Sequence, residues 1–301
     1  MTTLVKMDTD KIISHFGKSF FNTLLEKLDI YAAKWHLSNL EQIDYYSVNS
    51  IFKCLSQTHG RCILKIGKPC RQTQTEYNAL NEYAGYPFCR IYEADIQNGV
   101  MLIEEITPGR RLRDIPGLDI RLEIFCYLFN TLHKTAADKF LYPTYQDWVT
   151  RIAAYMRQRD DYKTLSSYMD KAEQICKELW EKYPGNFLLH GDLHHDNILL
   201  GADGRYYIID PKGVVGGRVF DIPRFILNEF GDEITEDFKG KYLYIIKTLS
   251  NKLSVPEIDI KKLVFVEMSM AHCWNVEDGL LPDIREVEFT KTIMEDEYYV
   301  N

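Results

Sequence analysis

The chain has no long hydrophobic run. Nowhere do about 18 uncharged apolar residues follow one another, as a bilayer-spanning helix requires, and the first eleven residues are too polar for a secretory signal. Cysteine is sparse and unpatterned. Cys54, Cys62, Cys70, Cys89, Cys126, Cys176 and Cys273 are odd in number and form no C-x-x-C. That argues against a disulfide framework or a zinc site and leaves reduced thiols in a cytoplasmic protein as the expectation. Internal repeats, low-complexity linkers and a G-x-G-x-x-G loop are all missing. So is any excess of basic charge: the net charge is −8, and from residue 229 onward sixteen Asp and Glu face eight Lys and Arg. Such a balance argues against a nucleic-acid partner, which needs a basic surface. An acidic C-terminal third suits a cationic small molecule or a solvated face.

What is present is a 301-residue chain with 46% apolar residues, enough for one large domain or two smaller ones. Apolar residues at helical spacing (Ile12, Ile13, Phe16, Phe20, Leu24, Leu28) predict one or two helices over 8–37. Residues 50–56 and 61–67 flank a polar turn and read as a hairpin. A helix is expected over 72–84, with Tyr77, Leu80 and Ala84 on its inner stripe, and a strand over 99–106. The break Thr107-Pro108-Gly109 follows. Beyond it, 121–134, 148–157 and 165–183 read as helices, 198–200 and 206–210 as short strands, and the rest as mostly helical. The expectation is an α+β fold of two lobes, 1–106 sheet-rich and 107–301 mostly helical, with the active site in the cleft at that break.

The strongest segment is Leu188-Leu189-His190-Gly191-Asp192-Leu193-His194-His195-Asp196-Asn197-Ile198-Leu199-Leu200. It contains D-x-x-x-x-N between apolar runs. Phosphoryl transfer needs a carboxylate to take the attacking hydroxyl's proton and an amide that reaches back to magnesium. Thirteen residues on, Asp210 offers a second metal-binding carboxylate. The alternative is a buried polar turn, which explains poorly why so many polar groups sit between apolar runs. His194 and His195 point in different directions on any regular backbone and do not make a zinc site.

Together, His190-Gly191-Asp192-Leu193-His194-x-x-Asn197-Ile198-Leu199 and Ile209-Asp210-Pro211-Lys212-Gly213 resemble the aminoglycoside phosphotransferase superfamily. The Asp-Pro-Lys-Gly run is similar to the streptomycin 6-phosphotransferase and hydroxyurea phosphotransferase branch, and Phe220-Asp221-Ile222 and 274–279 fit it. The resemblance implies a protein-kinase-like fold, ATP and Mg2+, Asp192 as catalytic base, and Asn197 and Asp210 as metal ligands. His190 and Asp221 would brace the loop. The family usually has an acidic residue where Gly217 stands.

For the nucleotide, Lys65 in an apolar strand would contact phosphates and pair with Glu76, with Glu82 as a rival partner. Backbone groups near Glu104 and Ile106 would meet adenine, and Tyr46-Ser47-Val48-Asn49-Ser50 stands where a glycine-rich loop would lie. Trp274, Glu277 and Asp278 are the candidate acceptor wall. A small cationic acceptor is expected, streptomycin-like compounds foremost. Hydroxyurea, a sugar or an amino alcohol, or an idle nucleotide-binding module, remain as alternatives.

Overall fold

The computed structural model describes residues 5–43, 49–230 and 236–296. They fall into two compact units: 1–110 with 199–209, and 111–198 with 210–301. The segment 199–209, expected with the C-terminal lobe, goes with the first unit. Most of the expected phosphate loop, Ser47 included, lies outside the described residues. Asn49 and Ser50 open a strand and are buried.

In the first unit six strands form one sheet, in the order Val5–Lys6, Leu37–Gln42, Asn49–Ser56, Gly60–Gly67, Val100–Glu104, Ile91–Asp95. The expected hairpin is its centre, with Cys54 opposite Cys62. All seven cysteines are nevertheless free thiols. Alternation along Gly60–Gly67 sends Cys62, Leu64 and Ile66 into a core with Leu24 and Leu28 of the helix Lys18–Lys34. The intervening Lys65 points the other way and meets Glu76 of the helix Arg71–Tyr83. That helix buries Thr73, Glu76, Ala79 and Leu80. The expected stripe of Tyr77, Leu80 and Ala84 is therefore rotated: Tyr77 is half-buried, and Ala84 is an exposed left-handed cap. Its inner face is chosen by a buried charge pair, which a search for apolar periodicity overlooks. The break after Glu104 also continues as a short strand, Pro108–Arg111, which pairs with Ile198–Gly201.

The second unit is built around the helix Glu257–Glu277. Twelve of its residues are buried, on every side, so it serves as a core helix rather than an amphipathic one. Lys163–Lys182, Ile284–Glu295, Pro223–Asn228, Glu236–Leu253 and Tyr145–Met156 pack around it. A small sheet with Phe187–Leu189 between Lys134–Thr135 and Val214–Gly216 completes the unit. No helix among the described residues is long and apolar enough to cross a membrane.

Gly217 follows that sheet directly, and a Cβ there would lie 2.2 Å from the carbonyl oxygen of Tyr183. An acidic side chain at this position would have no room beside that carbonyl. Gly217→Asp is expected to destabilise the protein by about 1–3 kcal/mol, as overpacked cores do. An unchanged urea midpoint would contradict this close approach.

Candidate active site

Phe187–Leu189 delivers the chain into His190-Gly191-Asp192, and the antiparallel partner Val214–Gly216 brings Lys212 alongside. The Lys212 amide donates to the His190 carbonyl at 2.7 Å. Gly191 has φ +77, and a Cβ would come 2.8 Å from the Trp148 ring and 2.9 Å from Val214. Both conformation and space thus require glycine before the aspartate. The fully buried carboxylate of Asp221 accepts the amide N–H groups of His190 (2.9 Å) and Gly191 (2.8 Å), and meets His133 Nε2 at 2.8 Å. The Asp192 amide donates to His190 Nδ1 at 3.1 Å. The bend is therefore fixed by side chains from three separate segments.

Asp192 itself is flanked by cations. Its carboxylate lies 3.5 Å from Lys212 Nζ and 3.6 Å from Arg224 Nε. Burial disfavours the ionised form, but the Arg224 guanidinium and the Lys212 ammonium outweigh it and hold the group well below the usual carboxylate range. Arg224 is held in turn by buried Glu267, 2.6 Å from Nε, and Glu267 accepts the hydroxyl of buried Tyr145. Burial pushes the Glu267 carboxyl up against the pull of Arg224. The Arg224 ring contact is with Trp274, 5.5 Å from its guanidinium, and Trp274 meets Trp148 edge-on at 5.9 Å.

Asn197 ends a single 3-10 turn, and its amide nitrogen donates to the Asp192 carbonyl at 3.0 Å. That fixes the amide so its oxygen is the atom left for a cation. Burial lowers His194 to about 4, so it stays neutral near neutral pH and accepts the Asp196 amide at 3.3 Å. Arg113 forks onto the Asp196 carboxylate at 2.9 Å. Asp210 lies two residues past the strand Tyr206–Ile208, at φ +58, a left-handed conformation that aspartate tolerates better than most.

In the first unit, Lys65 and Glu76 form a buried ion pair, while Glu82 is only half-buried near the helix end. The Glu104 amide donates to the Arg90 carbonyl at 2.9 Å and its carboxylate accepts the Arg90 amide, whereas Ile106 is almost fully buried. The acceptor wall divides. Trp274 joins the Asp192 cluster, but Glu277 is bound bidentately by Arg151 (2.6 and 2.9 Å), and Asp278 caps the exposed end of its helix. Sequence reasoning missed Lys212, Arg224 and Glu267 as members of the cluster. The available signal was a lone arginine just before the apolar run Phe225-Ile226-Leu227 and a lone glutamate in the run 263–270.

Residues 34–279 match the family described as aminoglycoside/hydroxyurea antibiotic resistance kinase. The chain belongs to this family. It is thus a small-molecule phosphotransferase. Streptomycin 6-kinase of Streptomyces griseus is 22% identical over 82% of this chain and 81% of its own. Hydroxyurea phosphotransferase of Kitasatospora aureofaciens is 24% identical over 92% and 81%. Among solved structures, choline kinase of Streptococcus pneumoniae superposes with a TM-score of 0.64 at 16% identity, over 91% of this chain and 99% of that one. The fold of this family member is the protein-kinase-like one.

Below the loop, Glu229 gathers Arg121 (Nε 3.0 Å), His195 (2.7 Å) and Lys241 (3.2 Å). Burial opposes its charge, yet the close approach of His195 and the fork of Arg121 bring it down to about 2. A depressed carboxylate adds stability that is present above its unfolded value, near 4.5, and is lost as pH falls toward 2. Glu229→Gln should be less stable than the parent at about pH 6, by a few kcal/mol. The gap should close as pH falls from about 4.5. Urea midpoints that differ equally at about pH 6 and about pH 3 would contradict this.

Proposed function

We propose that this phosphotransferase moves the γ-phosphoryl group of magnesium-bound ATP to a hydroxyl of a small acceptor, an aminoglycoside of the streptomycin kind being the first candidate. The observation that carries this reading is Asp192, kept ionised between Lys212 and Arg224 on a bend that Asp221 and Gly191 fix. The names of the streptomycin and hydroxyurea relatives support the acceptor class. A solved complex of the choline kinase with AMP supports the nucleotide.

In this reading Asp192 orients the acceptor hydroxyl and takes its proton. A carboxylate this acidic is a weak base at rest. Lys212 would exchange Asp192 for the phosphoryl oxygens, and the loss of that cation raises the proton affinity of Asp192 when the proton has to be taken. Asn197 and Asp210 offer the oxygen donors that a small hard cation prefers, and such a cation needs few protein ligands. When bound, the metal would neutralise phosphate charge. Lys65, its ammonium fixed by Glu76, would contact the α- and β-phosphates, and the backbone near Glu104 and Ile106 would face adenine.

A coupled ADP-release assay against aminoglycosides, hydroxyurea, sugars and amino alcohols tests the proposal. Asp192→Asn should lower turnover by about 100- to 10,000-fold with little change in nucleotide affinity. Asp210→Ala should lose both turnover and most of the thermal shift produced by millimolar Mg-ATP, since that shift measures binding to the native state. An Asp192→Asn variant that keeps most of its activity, or a parent that shows no Mg-ATP shift, would overturn the reading.

A further inference from the structure

The helix Lys18–Lys34 stands almost wholly ahead of residue 34, where the family match begins. Its apolar side chains Leu24 and Leu28 join the core of the six-stranded sheet. Lys27, Tyr31 and Lys34, spaced to share one helix face, reach instead for the turn between two strands. The Tyr31 hydroxyl donates to Asp95 Oδ2 at 2.8 Å, and Lys34 Nζ lies 3.6 Å from the same oxygen. Half-buried Lys27 donates to two main-chain carbonyls, that of Asn98 at 2.5 Å and that of Gly67 at 3.2 Å. Burial pulls its ammonium below the usual lysine range, against the opposing charge of Asp95. The contact thus keeps a partly desolvated charge on two backbone oxygens that are 31 residues apart in sequence.

The place of those oxygens gives the contact its meaning. Gly67 ends the strand that carries Lys65, and residues 68–70 are the whole link from that strand to the helix Arg71–Tyr83, which carries Glu76. The link is tightly seated. The Gly67 amide donates to the Gly99 carbonyl at 2.9 Å. A Cβ on Gly99 would lie 2.5 Å from the Gly67 carbonyl oxygen and 3.0 Å from the Pro69 nitrogen. Thr73 Oγ1 donates to the Lys68 carbonyl at 3.3 Å. Lys27 adds the hold on the Gly67 carbonyl itself. Resting on the phosphotransferase reading above, in which Lys65 contacts ATP, we propose that Lys27 is a positioning residue for the nucleotide: by tying Gly67 to Asn98 it fixes the strand of Lys65 against the helix of Glu76. It touches no phosphate. It acts through the buried Lys65–Glu76 pair, which phosphoryl transfer in this kind of fold needs in place.

Calorimetric titration of the full-length protein with Mg-ATP, without acceptor, tests this. Lys27→Met keeps the aliphatic stem and removes the donors, and should weaken binding by about threefold to thirtyfold. Lys27→Arg retains donors for both carbonyls and should bind within about twofold of the parent. Ala32→Gly weakens the same helix and leaves Lys27 in place, so it should also stay within about twofold. The deciding measurement is a double-mutant cycle with Glu76→Gln. Residues that share no partner contribute independently, so a merely structural Lys27 would lose its full factor again in the Glu76→Gln background. Acting through the pair, Lys27→Met should cost less than about twofold more there. Factors that multiply, a Lys27→Met protein that binds like the parent, or an equal loss in Ala32→Gly would overturn the role of Lys27 and leave the kinase reading standing. A parent that does not bind Mg-ATP would overturn both. Should Lys27→Met fail to fold, Lys27→Gln takes its place and is read in the same way.

Discussion

The arrangement depends on one half-buried guanidinium. Arg224 lies between Glu267 and Asp192, and each of these charges would be costly inside the protein without the others. Tyr145 caps the far side of Glu267, Lys212 the near side of Asp192. The result is a line of alternating charge and hydrogen bonding that runs from the core helix to the bend. Removing a middle member would strand its neighbour in a poorly solvated place. The acidity of Asp192 is therefore a property of the fold around Arg224 and not of the loop sequence alone.

The bend needs its own restraint, because a loop carrying a charged side chain gains by turning toward water. Asp221 binds two of its amides, Gly191 supplies a left-handed residue where Trp148 and Val214 leave no space for a Cβ, and Arg113 holds Asp196 beyond it. The first unit solves a similar problem more simply. Lys65 emerges from an apolar strand and is neutralised within its own unit by Glu76. In both places a poorly solvated charge is held by a partner of opposite sign within its own unit.

Much of this could be read from local sequence. The hairpin, the long helices and the His190–Asn197 loop carry their signals within a few residues: alternation, helical spacing, polar groups held between apolar runs. The Lys65–Glu76 pair was legible because both residues stand out on adjacent elements. The small sheet was not legible, since Lys134–Thr135, Phe187–Leu189 and Val214–Gly216 are two or three residues each and exist only through their pairing. Arg224 and Glu267 were missed for a related reason, as a single charge in an apolar run shows its meaning only once its partner, far away in sequence, is in place. Glu277 erred in the opposite direction. Next to Trp274 it read as an open carboxylate, and the fold gives it Arg151, 126 residues away.

The central claim is that an acceptor hydroxyl, oriented by Asp192, attacks the γ-phosphorus of ATP. The direct measurement follows the oxygen. An acceptor whose hydroxyls carry heavy oxygen is turned over with ATP and magnesium, and the product is analysed by mass spectrometry. The account predicts one added phosphoryl group, with the heavy atom retained as the bridge between carbon and phosphorus. Inorganic phosphate formed with the acceptor unchanged, or a product that has lost the heavy oxygen, would contradict it.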